Sequence, residues 1–268
     1  MAAMRVVASA LLCAAAPSHG AHVQAALRHS GVSEGGQEQG LVRALEFDHR
    51  LRVCNAFPFA TGMDVYRGEE KLTEKAPIPY KDCRDFHPQL RAGDRLQFTI
   101  DDSSAGTFSV SDLPANDAVL LLVVRRHDTM STAVSFESHV FANLRNAQVA
   151  IIDTYQGAKH SAPRIMDRPG VGKKARSEEL RYSSVVAVSP GVYEVELGGN
   201  ASRSELVALH HESYVVMRTG VEARQGPSFP EEIVVYPHSD AAALRGGVAA
   251  RSPLAPLVLA SAVLAMRR

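Results

Sequence analysis

An internal duplication constrains this chain more than any other feature. The stretch from Ser109 to Phe141 returns without a gap from Ser202 to Val234, at a constant offset of 93 residues. The copies align Ser109 with Ser202, Ser111 with Ser204, Asp112 with Glu205, Leu113 with Leu206, Ala115 with Ala208, Val123 with Val216, Arg125 with Arg218 and Phe136 with Phe229. In each, a polar lead-in runs into an apolar segment that stops at an arginine, and an aromatic residue with a short apolar run closes the unit. Self-similarity at one fixed spacing means one structural unit used twice. The spacing is that of a small domain, so the 268 residues divide into two.

The apolar pattern inside each unit is that of strands. Arg95 to Ile100 alternates polar and apolar residues, as a half-buried strand does, and Ala118 to Val124 is a continuous apolar run with turn residues on both sides. Leu51 to Ala56 and Met63 to Tyr66 come earlier, and Gln148 to Asp153, Val192 to Leu197 and Tyr214 to Met217 repeat the order. Turn signals punctuate them at Arg67-Gly68-Glu69, Ala92-Gly93-Asp94 and Ser189-Pro190-Gly191. Only Lys173 to Leu180 reads as briefly helical. This pattern predicts an all-β chain of two tandem immunoglobulin-like antiparallel β-sandwich domains, residues 46–143 and 144–238. Nothing from Asn143 to Asn146 reads as a flexible linker, so the domains are expected to abut. A single continuous sandwich is the competing layout.

Both ends carry sorting patterns. Arg5, the apolar run Val6 to Ala16 and the break at Pro17-Ser18-His19-Gly20 predict a signal peptide over residues 1–25, cleaved after Gly20 or Ala25. A polar leader follows over residues 26–45. At the other end, Ser239 and Asp240 precede a spacer and an apolar tail from Pro253 to Met266. Three readings of residues 239–268 stand: a glycolipid-anchor signal attached at Ser239 or Asp240, a short membrane span stopped by Arg267 and Arg268, or a plain secreted tail. Each puts the folded part outside the cytosol. Cys13 lies in the signal, which leaves Cys54 and Cys83 as a pair expected to form a disulfide across the first hairpin region, contributing about 3 kcal/mol. Asn200-Ala201-Ser202 is a glycosylation sequon.

Charge and motifs narrow the function. With 29 basic and 29 acidic residues the chain lacks the positive excess that nucleic-acid binding calls for. The one G-x-S-x-G spacing, Gly31-Val32-Ser33-Glu34-Gly35, falls in the polar leader, without the strand and helix that make a nucleophile elbow, and there is no H-E-x-x-H. Pro169 to Lys174 lacks the glycine and hydroxyl residue of a phosphate loop and reads as a basic loop. His210-His211-Glu212 and Asp101-Asp102-Ser103-Ser104 read as surface turns ahead of metal sites. No catalytic residue, metal ligand or cofactor is therefore assigned. Arg125 and Arg126 at the end of the first core strand, with Arg218 at the matching end of the second, are candidates to contact an anionic ligand such as an acidic polysaccharide. The guanidinium offers paired donors to an oxyanion.

The chain also resembles two known families. Arg52-Val53-Cys54-Asn55-Ala56, Met63-Asp64-Val65-Tyr66 and Ser189-Pro190-Gly191-Val192-Tyr193 resemble the repeated motif of a secreted bacterial β-sandwich family of unknown function that occurs in tandem. Where that motif has His-Ala-Ser-Pro, this chain has Asn55-Ala56-Phe57-Pro58. The order of parts, with Phe141 to Val149 leading into the second copy, is similar to the periplasmic accessory protein family of alginate O-acetylation, built from two small β-domains. The first resemblance implies extracellular display, the second assistance to an acetylation complex without catalysis by this subunit. Three functions are thus carried forward: a non-catalytic surface or secreted protein in contact with an extracellular polysaccharide or surface protein, an accessory subunit of exopolysaccharide O-acetylation, and an enzyme with an unrecognised site.

Overall fold

The computed structural model describes residues 47–142, 145–168, 175–198 and 202–246. The expected signal peptide and leader, the Pro169 to Lys174 loop, the sequon asparagine Asn200 and the apolar tail lie outside the described residues. The domain boundary at 143–144 does too.

The first eight strands are β1 (His49–Ala56), β2 (Met63–Arg67), β3 (Glu70–Lys71), β4 (Asp82–Phe86), β5 (Arg95–Ile100), β6 (Ser103–Ser109), β7 (Ala118–Arg126) and β8 (Val134–Ala142). They form two four-stranded sheets, ordered β4-β1-β7-β8 and β3-β2-β5-β6. The second eight are β9 (Ala147–Asp153), β10 (Pro163–Asp167), β11 (Ser177–Glu179), β12 (Ser184–Val188), β13 (Gly191–Leu197), β14 (Arg203–Ala208), β15 (Ser213–Val221) and β16 (Phe229–Tyr236). Their sheets are ordered β12-β9-β15-β16 and β11-β10-β13-β14. Adding eight to every strand label turns one sandwich into the other. The fold is all-β, as expected, with two tandem sandwiches. Neighbouring strands are antiparallel except β1 with β7 and β9 with β15, which run parallel at the centre of one sheet in each sandwich.

Three apolar cores hold these layers. Leu51, Val53, Met63, Val65, Phe98, Leu122 and Val124 fill the first sandwich. Val149, Ile151, Val195, Leu197, Leu206, Tyr214 and Val216 fill the second. The third lies between the two parallel-pair sheets and consists of Cys54, Ala56, Cys83, Leu121, Val123, Phe141, Ala150, Ile152, Val215 and Met217. Successive residues of a strand point to opposite faces, so β1, β7, β9 and β15 each feed an inner core with one alternation and the middle core with the other. This explains their continuous apolar sequence, which is what strands buried on both faces require.

The structure refines three sequence expectations. The gapless offset is out of register in the duplicated strand. Val124 pairs with Phe136 and Val216 with Val235, each inside its own sandwich, so Arg126, not Arg125, corresponds to Arg218. A slip of one residue in a strand exchanges its two faces, and the alignment therefore placed Val123 of the middle core against Val216 of an inner one. Phe136 and Phe229 are likewise not equivalent, because Phe229 pairs with Val221. Second, Ser177–Glu179 is a short edge strand on β10, not helical. Third, the Cys54–Cys83 disulfide does not close a hairpin. It joins β1 to the edge strand β4 at directly opposed positions, and β2 and β3 of the other sheet lie in the loop it closes.

The four central strands share a direction. Residues within one position of their starts, Asp48, Ala118, Gln148 and Ser213, line one polar cleft of about 220 Å³ together with Arg50, Asp117 and His211. At the opposite end the strands stop at Ala56, Arg126, Asp153 and Val221. The chain leaves β16 at the cleft end, where Ser239 Oγ lies 2.9 Å from the Tyr214 hydroxyl. One helical turn, α1 (Ala243–Gly246), follows.

Candidate functional site: strand-end arginines and the seam between sandwiches

At the arginine end the three candidate residues occupy three different environments. Arg125 and Arg126 are adjacent in β7 and so diverge. Arg125 turns to the side of the middle core, with Nε 3.8 Å from Glu137 and without a hydrogen bond. Arg126 turns into the first sandwich and is only 4% exposed. Its Nε donates to the Ser131 carbonyl at 2.6 Å, and its Nη2 is buried with no partner. Among the described residues no carboxylate lies within ion-pair distance of it.

Arg218 is equally buried but fully engaged. Its Nε donates to Glu231 at 2.7 Å, Nη1 to Asp153 at 3.1 Å and Nη2 to the Lys159 carbonyl at 2.7 Å, and the guanidinium lies 4.3 Å from the centre of the Tyr155 ring. Burial opposes its charge, and Asp153 and Glu231 outweigh that, so its pKa is raised. Burial also pushes the Asp153 carboxyl up, against the pull of Arg218. Arg218 is thus the centre of an internal ion-pair network. The structure does not bring the three arginines together into one cluster.

The loop over Arg126 is built from its own polar groups. Asp128 accepts from the Met130 and Ser131 backbone N–H groups at 2.7 and 2.6 Å, which holds its carboxyl below the usual range. The His127 N–H donates to the Ala133 carbonyl and closes the turn. These bonds turn the Ser131 carbonyl toward Arg126. They leave the Asp128 carboxylate occupied elsewhere.

Sequence reasoning missed the polar centre of the seam. Arg52 is 1% exposed and faces away from the first core. It donates from Nε and Nη2 to the two Asp85 oxygens at 2.7 and 2.8 Å and from Nη1 to the Ser213 carbonyl of the second sandwich. It also lies 5.0 Å from the centre of the Tyr236 ring, and Glu212 is 3.6 Å away. Burial opposes the Arg52 charge, but Asp85 and Glu212 more than compensate, so its pKa is raised. Arg50 adds bridges to Asp85 and Glu212. The available signal was an arginine inside the apolar run Leu51 to Ala56, on the face opposite Val53. At the other end of the seam Lys81 pairs with Glu232 at 2.5 Å and Tyr80 meets Phe229 edge-on.

The remaining candidates are placed as follows. Cys54 and Cys83 are disulfide-bonded in the middle core. Ser239 is half-buried against Tyr214, whereas Asp240 is exposed and caps the Ala242 N–H. His210 and His211 form a turn, with His211 at a positive φ, and Glu212 is drawn to the arginines of β1. Asp101 and Asp102, both at positive φ, form the β5–β6 hairpin turn in the conformation such tight hairpins need. Among the described residues no group of three or more His, Cys, Asp or Glu could hold a metal ion, and no helix is long and apolar enough to cross a membrane.

No protein-family model matches the chain, and no curated protein matches it either.

Proposed function

We propose that this chain is a non-catalytic extracellular or cell-surface protein whose sandwich ends contact an acidic polysaccharide or another surface protein. The Cys54–Cys83 disulfide, buried in the middle core, carries this reading, because such bonds form and persist in oxidising compartments. The signal-like N-terminus and the small-residue, spacer and apolar-tail order of the C-terminus support it. Arg126, buried with its Nη2 unpartnered, supports the anionic nature of the ligand. Attachment by a glycolipid at Ser239 or Asp240 and glycosylation at Asn200 are part of the proposal. The test is intact mass and surface release of the expressed protein with and without a glycolipid-cleaving phospholipase. Release, with loss of both termini and added glycan mass, is expected. A full-length intracellular product overturns the reading.

A second reading, an accessory subunit of polysaccharide O-acetylation, is favoured by the two small β-domains in tandem. It requires that the protein co-purify with an acyltransferase from its own cells.

A further inference from the structure

The two sandwiches carry equivalent arginines at the same end of the molecule, and only one of them has a counter-charge. The difference follows from the sequence. Arg218 pairs across β15 and β9 with Asp153, and Glu231 lies two residues before its β16 partner Ile233. The parallel register of β1 and β7, which matches Ala56 with Arg125, brings Phe57 to the position of Asp153. Thr132, two residues before the Arg126 partner Val134, takes the place of Glu231. Both carboxylates are thus absent from the first sandwich while the guanidinium stays buried. An arginine cannot discharge itself by losing a proton, and a buried cation without an anion is strongly unfavourable.

We propose that Arg126 is the anchoring cation of an anion site that takes an external oxyanion, the uronate carboxylate of an acidic polysaccharide. The site lies at the end of the first sandwich, between the Asp128 to Ala133 turn and the segment that follows β1. Its buried Nη2 supplies an unused donor. Because β1 and β7 are parallel, Phe59 and Met130 leave their strands at this same end, and both are exposed. They offer an apolar rim of the kind on which a sugar ring can rest beside its charged group. The incoming oxyanion takes the role that Asp153 and Glu231 play for Arg218. The assignment rests on the extracellular reading above for its ligand, but not for its test.

The test uses the purified full chain at fixed ionic strength, with chloride, sulfate, glucuronate, oligoglucuronate and a neutral glucose oligomer as probes. Unfolding temperature and calorimetric affinity are read for the wild type, for Arg126→Met and, as a control on the opposite face of the same strand end, for Arg125→Met. Sulfate strengthens folded states generally, so the readout is the difference between variants. In the wild type the oxyanions are expected to raise the melting temperature above the chloride value, with oligoglucuronate binding more tightly than the monomer. Arg126→Met should weaken binding by about ten- to a hundredfold and melt no lower than wild type in chloride. Arg125→Met should bind as wild type does. A response to sulfate without one to either uronate overturns the acidic-glycan assignment. Equal responses of wild type and Arg126→Met overturn the site. Should Arg126→Met not fold, the arginine side-chain N–H resonances of the wild type decide: an unmoved Arg126 signal during titration overturns the site and a shifted one supports it. A protein retained inside the cell yet binding oligoglucuronate through Arg126 would refute the address and leave the site standing.

Discussion

The first and second sandwiches share every strand connection, yet they treat the interior polar positions in opposite ways. In the second, the strand-end arginine is neutralised by two carboxylates, a carbonyl and an aromatic face. In the first, the equivalent arginine has a single carbonyl. On the outward faces the contrast reverses. The first sandwich places Arg52 and the disulfide in the seam, where the second offers Gln148 and Ala150 at the corresponding positions of β9. A duplicated frame of apolar residues tolerates large exchanges among the few polar ones it encloses, because strand order and register are set by the apolar alternation. Those exchanges are where two copies of one unit acquire different work.

The largest effect expected from breaking this contrast is at Arg218. Arg218→Met strands the Asp153 and Glu231 carboxylates and should cost about 3–5 kcal/mol in denaturant unfolding, against no loss for Arg126→Met. An equal cost at both sites would mean that the first arginine is neutralised too. Next comes the disulfide, which only the first sandwich has. The Cys54→Ala, Cys83→Ala double variant should lose about 3 kcal/mol, measured by the same method. Proton linkage sharpens the picture further. Asp128 in the first sandwich and Asp167 and Glu222 in the second have lowered pKa values, in each case chiefly through backbone hydrogen bonds. Their contributions are complete above the ordinary carboxyl range, about pH 4, and are lost as the pH falls through the lower folded values. Asp153, raised by burial, acts in the opposite sense and offsets part of that loss. On the alkaline side burial pushes Tyr80 up to about 12. Its contribution at the seam is complete below about pH 10 and disappears as the pH rises through the folded value. A melting-temperature profile across both limbs checks these signs. The smallest effect is expected at Lys81→Ala, which removes a half-exposed bridge to Glu232 and should cost under about 1 kcal/mol.

Much of this architecture was legible in the sequence, and its gaps have physical causes. Alternation in Arg95–Ile100 and the unbroken apolar run of β7 announced strands directly, since side-chain period and burial are local properties. The repeat announced two units. Strand neighbours are not local, so the parallel pairs β1–β7 and β9–β15 left no mark beyond their two-sided apolarity. The one-residue slip had a similar origin: an alignment rewards identical letters, whereas the fold is indifferent to letters and sensitive to parity. The arginine candidates illustrate both sides. Their place at strand ends was readable, but which of them met a carboxylate depended on β9 and β16, whose register against β15 the sequence does not state. Arg52 went unnoticed because its partners, Asp85, Ser213 and Glu212, come from distant parts of the chain.

The common direction of the four central strands gives the molecule a head and a foot. Asp48, just before β1, lines the polar cleft at the foot, and Ser239, beyond β16, meets the Tyr214 hydroxyl at the same end. The nine residues of β7 separate that foot from Arg126 by about 27 Å. Any tether at the C-terminus would therefore fasten the foot and place the strand end that encloses the uncompensated guanidinium farthest from the supporting surface.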